Sequence, residues 1–253
     1  MTFLQALLLG IIQGIAEFLP ISSSGHLVLF ESIFGLEIET LKGFDVVLHL
    51  GTLVAIVIYF WNDLWGLFKN RRLLGYIVLA TIPAVIVGFT MEDWLDYVFR
   101  DPKMVLLMLA LLAVFFVIAE KYPPKKERWR FTLKNTFLMG IAQACALIPG
   151  ISRSGSVIGT GLLFGLKREE AARFAFLLGT PAIAGASLLT GIHVVQGEAP
   201  LPSWDLVIVG FFASAVAGYL SVSFLMKFLK THSLRVFSIY LVVAAVIGII
   251  VLN

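Results

Sequence analysis

Two apolar stretches that break in their middles constrain this chain more than any other feature. Residues 3–34 carry LPISSSGH at their centre and residues 133–166 carry IPGISRSG, so each reads as two short helices around an irregular joint. Six further apolar stretches run at 44–61, 73–91, 103–119, 174–195, 206–228 and 236–252. A helix needs roughly 20 apolar residues to cross a hydrocarbon core, with about 17 to 25 as the working range. These six therefore read as spans, the fourth kinked at Pro181. Composition agrees, being 59% hydrophobic and 14% charged, whereas globular chains carry about 25% charged residues. At membrane depth, irregular backbone survives only where protein or a water-filled cavity satisfies its peptide groups, so both broken stretches are expected to be re-entrant hairpins. The first run lacks a basic leader and contains Glu17 and Pro20, which reads as mature structure rather than a signal peptide.

The broken stretches are copies of one element. A shift of 130 positions superposes Gly10 on Gly140, Gln13 on Gln143, Ala16 on Ala146, Ile21 on Ile151, Ser22 on Ser152, Ser24 on Ser154 and Gly25 on Gly155. A second echo, Leu50-Gly51-Thr52 against Leu178-Gly179-Thr180, lies at a shift of 128. The expected architecture is an all-α integral membrane protein forming one membrane domain. Its repeats, about 1–125 and about 126–253, would each be a re-entrant hairpin plus three transmembrane helices. A hairpin makes no net crossing and three is odd, so the repeats are expected to have inverted topology.

Loop charges agree with this assignment, because Lys and Arg collect on the cytoplasmic side. It puts Lys69, Arg71, Arg72, the six basic residues from Lys121 to Lys134, Lys167, Arg168, Arg173, Lys227, Lys230 and Arg235 inside. Lys42, Arg100 and Lys103 fall outside, with Glu37, Glu39, Asp45, Glu92, Asp93, Asp96, Asp101, Glu198 and Asp205. Both termini are expected outside, with hairpin one opening outward, hairpin two inward, and their tips meeting near the midplane.

Ionisable groups far from a membrane surface are costly and usually mark function. Gln13 and Glu17, four apart, share one helical face beside the first break; the bland alternative is a carboxyl that merely satisfies backbone. Ser22, Ser23, Ser24 and Gly25 put hydroxyls and a permissive backbone at a helix N-terminus, where N–H groups face an anion, although serines also simply cap helices. His26 can act as nucleophile or acid-base group, though a lone histidine is more often structural. In the second break Arg153 stands where the first has Ser23. Its planar guanidinium suits phosphate oxygens, or it serves as a counter-ion for Glu17. Gly150, Ser152, Ser154 and Gly155 supply a second anion nest.

GIIQGIAEFLPISSSGH resembles the E/Q-x-x-x-E motif and following serine-histidine segment of the undecaprenyl-diphosphate phosphatase, or bacitracin-resistance, family, and PGISRSG resembles its P-G-x-S-R-S-x-x-T motif. The similarity spans the chain, including LHLGTLVA and FLLGTPA. The resemblance implies removal of the terminal phosphate from undecaprenyl diphosphate with divalent-metal dependence on Mg²⁺ or Ca²⁺. It implies carrier recycling for cell-wall glycan synthesis, bacitracin resistance and a bacterial plasma-membrane location. By resemblance the acidic pair falls on Gln13 and Glu17, the serine and histidine on Ser23 and His26, and the arginine on Arg153 between Ser152 and Ser154. Glu17 is then the one carboxylate for a metal. The motif's threonine falls on Val157, which is expected to lie outside the site, with Thr160 one turn further on.

The attacking group is left open between Ser23 activated by His26, His26 itself and water. The expected partners are a polyprenyl diphosphate lipid and the bilayer, with a homodimer admitted and no nucleic acid. An ion-coupled transporter or lipid flippase would share the architecture, and an assembly protein is the weaker rival. Phosphate release in detergent separates them. Glu31, His49, His193 and His232 have no partner identifiable from spacing and are read as structural. The tryptophans read as interface anchors or packing, the Lys121–Lys134 run as a loop near anionic lipid, and Cys145 as a small buried apolar residue.

Overall fold

The computed structural model describes residues 1–122, 131–196 and 200–252, and among them the secondary structure is helical throughout. Most of the basic run between Lys121 and Lys134, and Glu198, lie outside the described residues.

The first broken stretch forms α1 (Phe3–Phe18) and α2 (Ser23–Ile33). Thr2 and Gln5 close a capping box at the start of α1. The helix stops at Phe18 because a residue before proline is steered away from the helical region; Leu19, preceding Pro20, is extended at φ −62°, ψ 139°. The second stretch forms α7 (Leu133–Cys145) and α8 (Arg153–Leu163) around Pro149 and Gly150, the latter at φ +94°. The two breaks use the same cap at equivalent positions. Ser22 Oγ accepts from Gly25 N at 3.3 Å and Ser152 Oγ from Gly155 N at 3.1 Å.

Between and after them come α3 (Lys42–Tyr59), α4 (Trp61–Lys69), α5 (Arg71–Phe99), α6 (Pro102–Lys121), α9 (Arg168–Gln196), α10 (Trp204–Phe228) and α11 (Arg235–Val251). Five of these, α3, α5, α6, α9 and α10, are long and apolar enough to cross a membrane, while α11 has 17 residues. One departure from the sequence reading concerns boundaries: α4 is a separate short helix, whereas α9 runs as one helix with Pro181 inside it, as expected. A second concerns Cys145, which is exposed rather than buried. The buried face of α7 is Thr136, Met139, Gly140, Gln143 and Ala144, and at helical spacing position 145 turns away from it.

α1 lies along α10, and α7 lies along α5. Small residues allow both approaches: a Cβ on Gly10 would sit 2.6 Å from the Gly210 carbonyl oxygen, and one on Gly140 would strike the Ala80 backbone. The 130-residue shift that carries Gly10 onto Gly140 also carries Ala80 onto Gly210, so these are one contact made twice. The remaining close pairs include α3 with α9 and α6 with α11. Phe18, Phe60 and Phe176 meet in the main core, with centroids 5.5 Å apart for Phe18–Phe176 and 5.7 Å for Phe60–Phe176. Large apolar side chains such as Phe89, Phe212 and Ile250 cover the outside, as a lipid-facing surface requires.

Candidate active site

The two breaks touch. A Cβ on Gly25 would come within 2.9 Å of Gly150 Cα, so neither glycine has room for a side chain at the junction. Glu17, at the end of α1, and Arg153, opening α8, meet across it, with Arg153 Nη2 donating to Glu17 Oε1 at 2.6 Å. Both are enclosed, their side chains 5% and 16% exposed. Such a pair costs desolvation that only good geometry and further hydrogen bonds offset, and Glu17 has both. Its Oε2 accepts from Ser23 Oγ at 2.7 Å and from Gln13 Nε2 at 3.0 Å, and its backbone carbonyl accepts from Ser154 Oγ at 3.5 Å.

Arg153 is less completely satisfied. Its Nη1 is buried with no hydrogen-bond partner among the described residues, and a Cβ on Gly179 of α9 would land on its guanidinium. A buried, unbonded charged donor is expensive.

His26 faces Tyr240 of α11 and the Ser22 carbonyl, not Ser23. Its Nδ1 donates to the Ser22 carbonyl at 2.8 Å, and its Nε2 lies 2.7 Å from the Tyr240 hydroxyl. A carbonyl only accepts, so Nδ1 carries the proton and Nε2 receives the phenol's. The rings are nearly parallel, 15° apart with centroids at 5.7 Å. Ser23 thus bonds to Glu17 and not to His26, and the His26 lone pair is already engaged. Ser22, which holds this histidine and caps α2, sits at φ +73°, a conformation that a non-glycine residue adopts at a cost of about 1–3 kcal/mol.

Of the other sequence candidates, Ser152 and Ser154 pair at 3.2 Å and Gly155 packs on Phe116 of α6. Ser24 is half-buried one step along α2, outside this network. Val157 is fully buried in the core, away from these contacts.

Two functional neighbours were missed. Tyr240 lies on α11, more than two hundred residues from His26, and nothing in the apolar run 236–252 distinguishes it. His49, read from the sequence as structural, is the clearer correction. Its Nδ1 lies 2.8 Å from Gln13 Nε2 and 3.3 Å from Glu17 Oε2. The signal was its place beside the Leu50-Gly51-Thr52 echo, whose partner triplet contains the glycine under Arg153.

For a divalent cation this site offers, among the described residues, one carboxylate, Glu17, and the buried, unpartnered Gln13 Oε1. Among the described residues no group of three or more His, Cys, Asp or Glu side chains gathers. That donor set fits Mg²⁺ or Ca²⁺ only if phosphate oxygens and water complete the shell.

The chain matches the family model described as Bacitracin resistance protein BacA over residues 6–247. It is 44% identical to an undecaprenyl-diphosphatase of Rubrobacter xylanophilus over 254 aligned residues, covering 94% of this chain and 93% of that one. Relatives of the same name from Pelotomaculum thermopropionicum and Caldicellulosiruptor bescii are 42% and 43% identical; the first alignment covers 99% of this chain and 97% of the relative, the second 95% and 94%.

Proposed function

The chain belongs to the bacitracin resistance protein BacA family, and from that premise we propose that its joined breaks hydrolyse undecaprenyl diphosphate to undecaprenyl phosphate and inorganic phosphate. It is a multi-pass membrane phosphatase. The observation that carries the site assignment is the buried guanidinium of Arg153, with one nitrogen on Glu17 and the other unbonded.

The terminal phosphoryl group binds Arg153 first through Nη1, then draws Nη2 away from Glu17. Phosphoryl transfer mainly requires positioning and charge compensation, and the exchange supplies both while freeing Glu17 Oε1. Ser23 is the favoured nucleophile because its hydroxyl points at Glu17 at 2.7 Å. Ser23 Oγ forms a bond to the terminal phosphorus, its proton passes to Glu17, and the bond to the bridging oxygen breaks. Undecaprenyl phosphate leaves. After Glu17 has passed the serine proton to the departing undecaprenyl phosphate, water attacks the seryl phosphate. Glu17 takes that water's proton and delivers it to Ser23 Oγ as its bond to phosphorus breaks, and inorganic phosphate and free Ser23 result. Backbone N–H groups at the start of α8, with Ser152 and Ser154, face the phosphate. A Mg²⁺ or Ca²⁺ held by Glu17 and the diphosphate would neutralise phosphoryl charge when bound.

The topology proposed is a pair of inverted repeats, each a re-entrant hairpin and three spans, with termini and site opening on the outer face of a bacterial plasma membrane. Supporting it are the 130-residue echo, the Gly10–Gly210 contact repeated as Gly140–Ala80, and the loop charges. Outward release of phosphate suits a cell recycling its glycan carrier, and that recycling underlies bacitracin resistance.

Phosphate release from undecaprenyl diphosphate in detergent tests the reading. Wild type releases phosphate and Arg153→Ala does not. A wild type that binds the lipid without turnover would favour the flippase architecture instead.

A further inference from the structure

We infer that His49 is a positioning residue for the hydrolysis, holding Gln13, and through it Glu17, so that Glu17 Oε2 stays aimed at Ser23 after Arg153 has moved to the phosphate. This rests on the hydrolase reading above.

The two oxygens of Glu17 are differently held. Oε1 is bound by Arg153, the group that substrate recruits, whereas Oε2 faces Gln13, Ser23 and His49. When Arg153 departs, the carboxylate loses its strongest tether and its orientation depends on what remains at Oε2. Gln13 is that tether, and its amide orientation is dictated by its surroundings. Nε2 points both at Glu17 Oε2 (3.0 Å) and at His49 Nδ1 (2.8 Å), and a flipped amide would put oxygen against the carboxylate. Gln13 therefore spends one N–H on Glu17 and one on His49. Nδ1 must present a lone pair, so the ring proton sits on Nε2 and the 3.3 Å approach to Glu17 is not an ion pair in this arrangement. Without His49, Gln13 would have a buried N–H unpaired and freedom to rotate off the carboxylate. Displacements of about 1 Å at a reacting group can cost on the order of 10²-fold in rate. α3 brings His49 to this place by packing against α1 and α9.

The test compares His49→Leu with His49→Gln, whose amide returns a hydrogen-bonding group at similar reach. His49→Leu should lower kcat about tenfold or more with KM within twofold of wild type, because Arg153 still binds the phosphate. His49→Gln should recover most of that loss at equal thermal stability. Ring ¹⁵N shifts of labelled protein should show His49 with its proton on Nε2 and should move on Gln13→Leu. The inference is overturned by unchanged kcat in His49→Leu, by a Gln variant as impaired as Leu, by a rise in KM alone, or by a proton on Nδ1. A wild type with no phosphate release would sink the hydrolase reading and this role together; an active wild type indifferent to His49→Leu sinks only this role.

Discussion

The two breaks share ancestry of design but not of chemistry. Each has a glutamine in the last two turns of its first helix, a serine cap and a glycine three residues beyond the cap serine. In the first, Gln13 finds Glu17 and His49. In the second, Gln143 is 2% exposed and neither atom of its amide has a partner among the described residues. The reason is visible in the sequence: at the 130-residue shift Leu147 stands where Glu17 would, and at the 128-residue shift of the Leu-Gly-Thr echo Leu177 stands where His49 would. Meanwhile Arg153 replaces a serine. Two breaks of similar sequence thus meet as one heteropolar pair, with acid, hydroxyl and amide on one side and guanidinium on the other.

That comparison can be broken by substitution on either side. Arg153→Ala should reduce kcat/KM for phosphate release by about 10²- to 10³-fold, the usual loss for one donor aimed at transition-state charge. Arg153→Lys should not restore it, since the fork is lost with the charge kept. Ser23→Ala should cost about 10²-fold or more in kcat. Residual activity near wild type would move the attack from Ser23 to water.

The glutamines sharpen the contrast. Gln13→Leu should lose about tenfold or more, as expected for a hydrogen bond to a charged group worth about 1.5–3 kcal/mol. Gln143→Leu should leave kcat within twofold and raise the thermal midpoint, because it removes an unsatisfied buried amide costing about 1–3 kcal/mol. Equal losses from both would show that the second break has a polar function of its own. Tyr240→Phe, which deletes one hydrogen bond to His26, should cost about 1 kcal/mol of folding stability, read as a lowered thermal midpoint.

Much of this was legible before any coordinates. Pro20 and Pro149 announce the breaks, since proline and its predecessor cannot continue a helix, and Glu17 and Arg153 stand out as charges in apolar surroundings. Pairing was less legible. Ser23 and His26, three residues apart on one helix, suggested a couple, but the first turn of α2 sends Ser23 toward α1 and His26 toward α11. His49 and Tyr240 reach the site only through the packing of α3 and α11, and a single polar residue inside an otherwise apolar span carries no mark of what it will face. The buried call for Cys145 failed for a related reason: apolar composition in a bilayer does not separate the core face from the lipid face.

The account stands on Glu17 and Arg153 acting as one unit across the two breaks, and a double-mutant cycle measures that directly. With Glu17→Gln, Arg153→Ala and the double variant assayed for phosphate release from undecaprenyl diphosphate, the double should be no slower than the worse single within about threefold, as for residues that work together. Losses that multiply would mean that the acid and the guanidinium serve separate places.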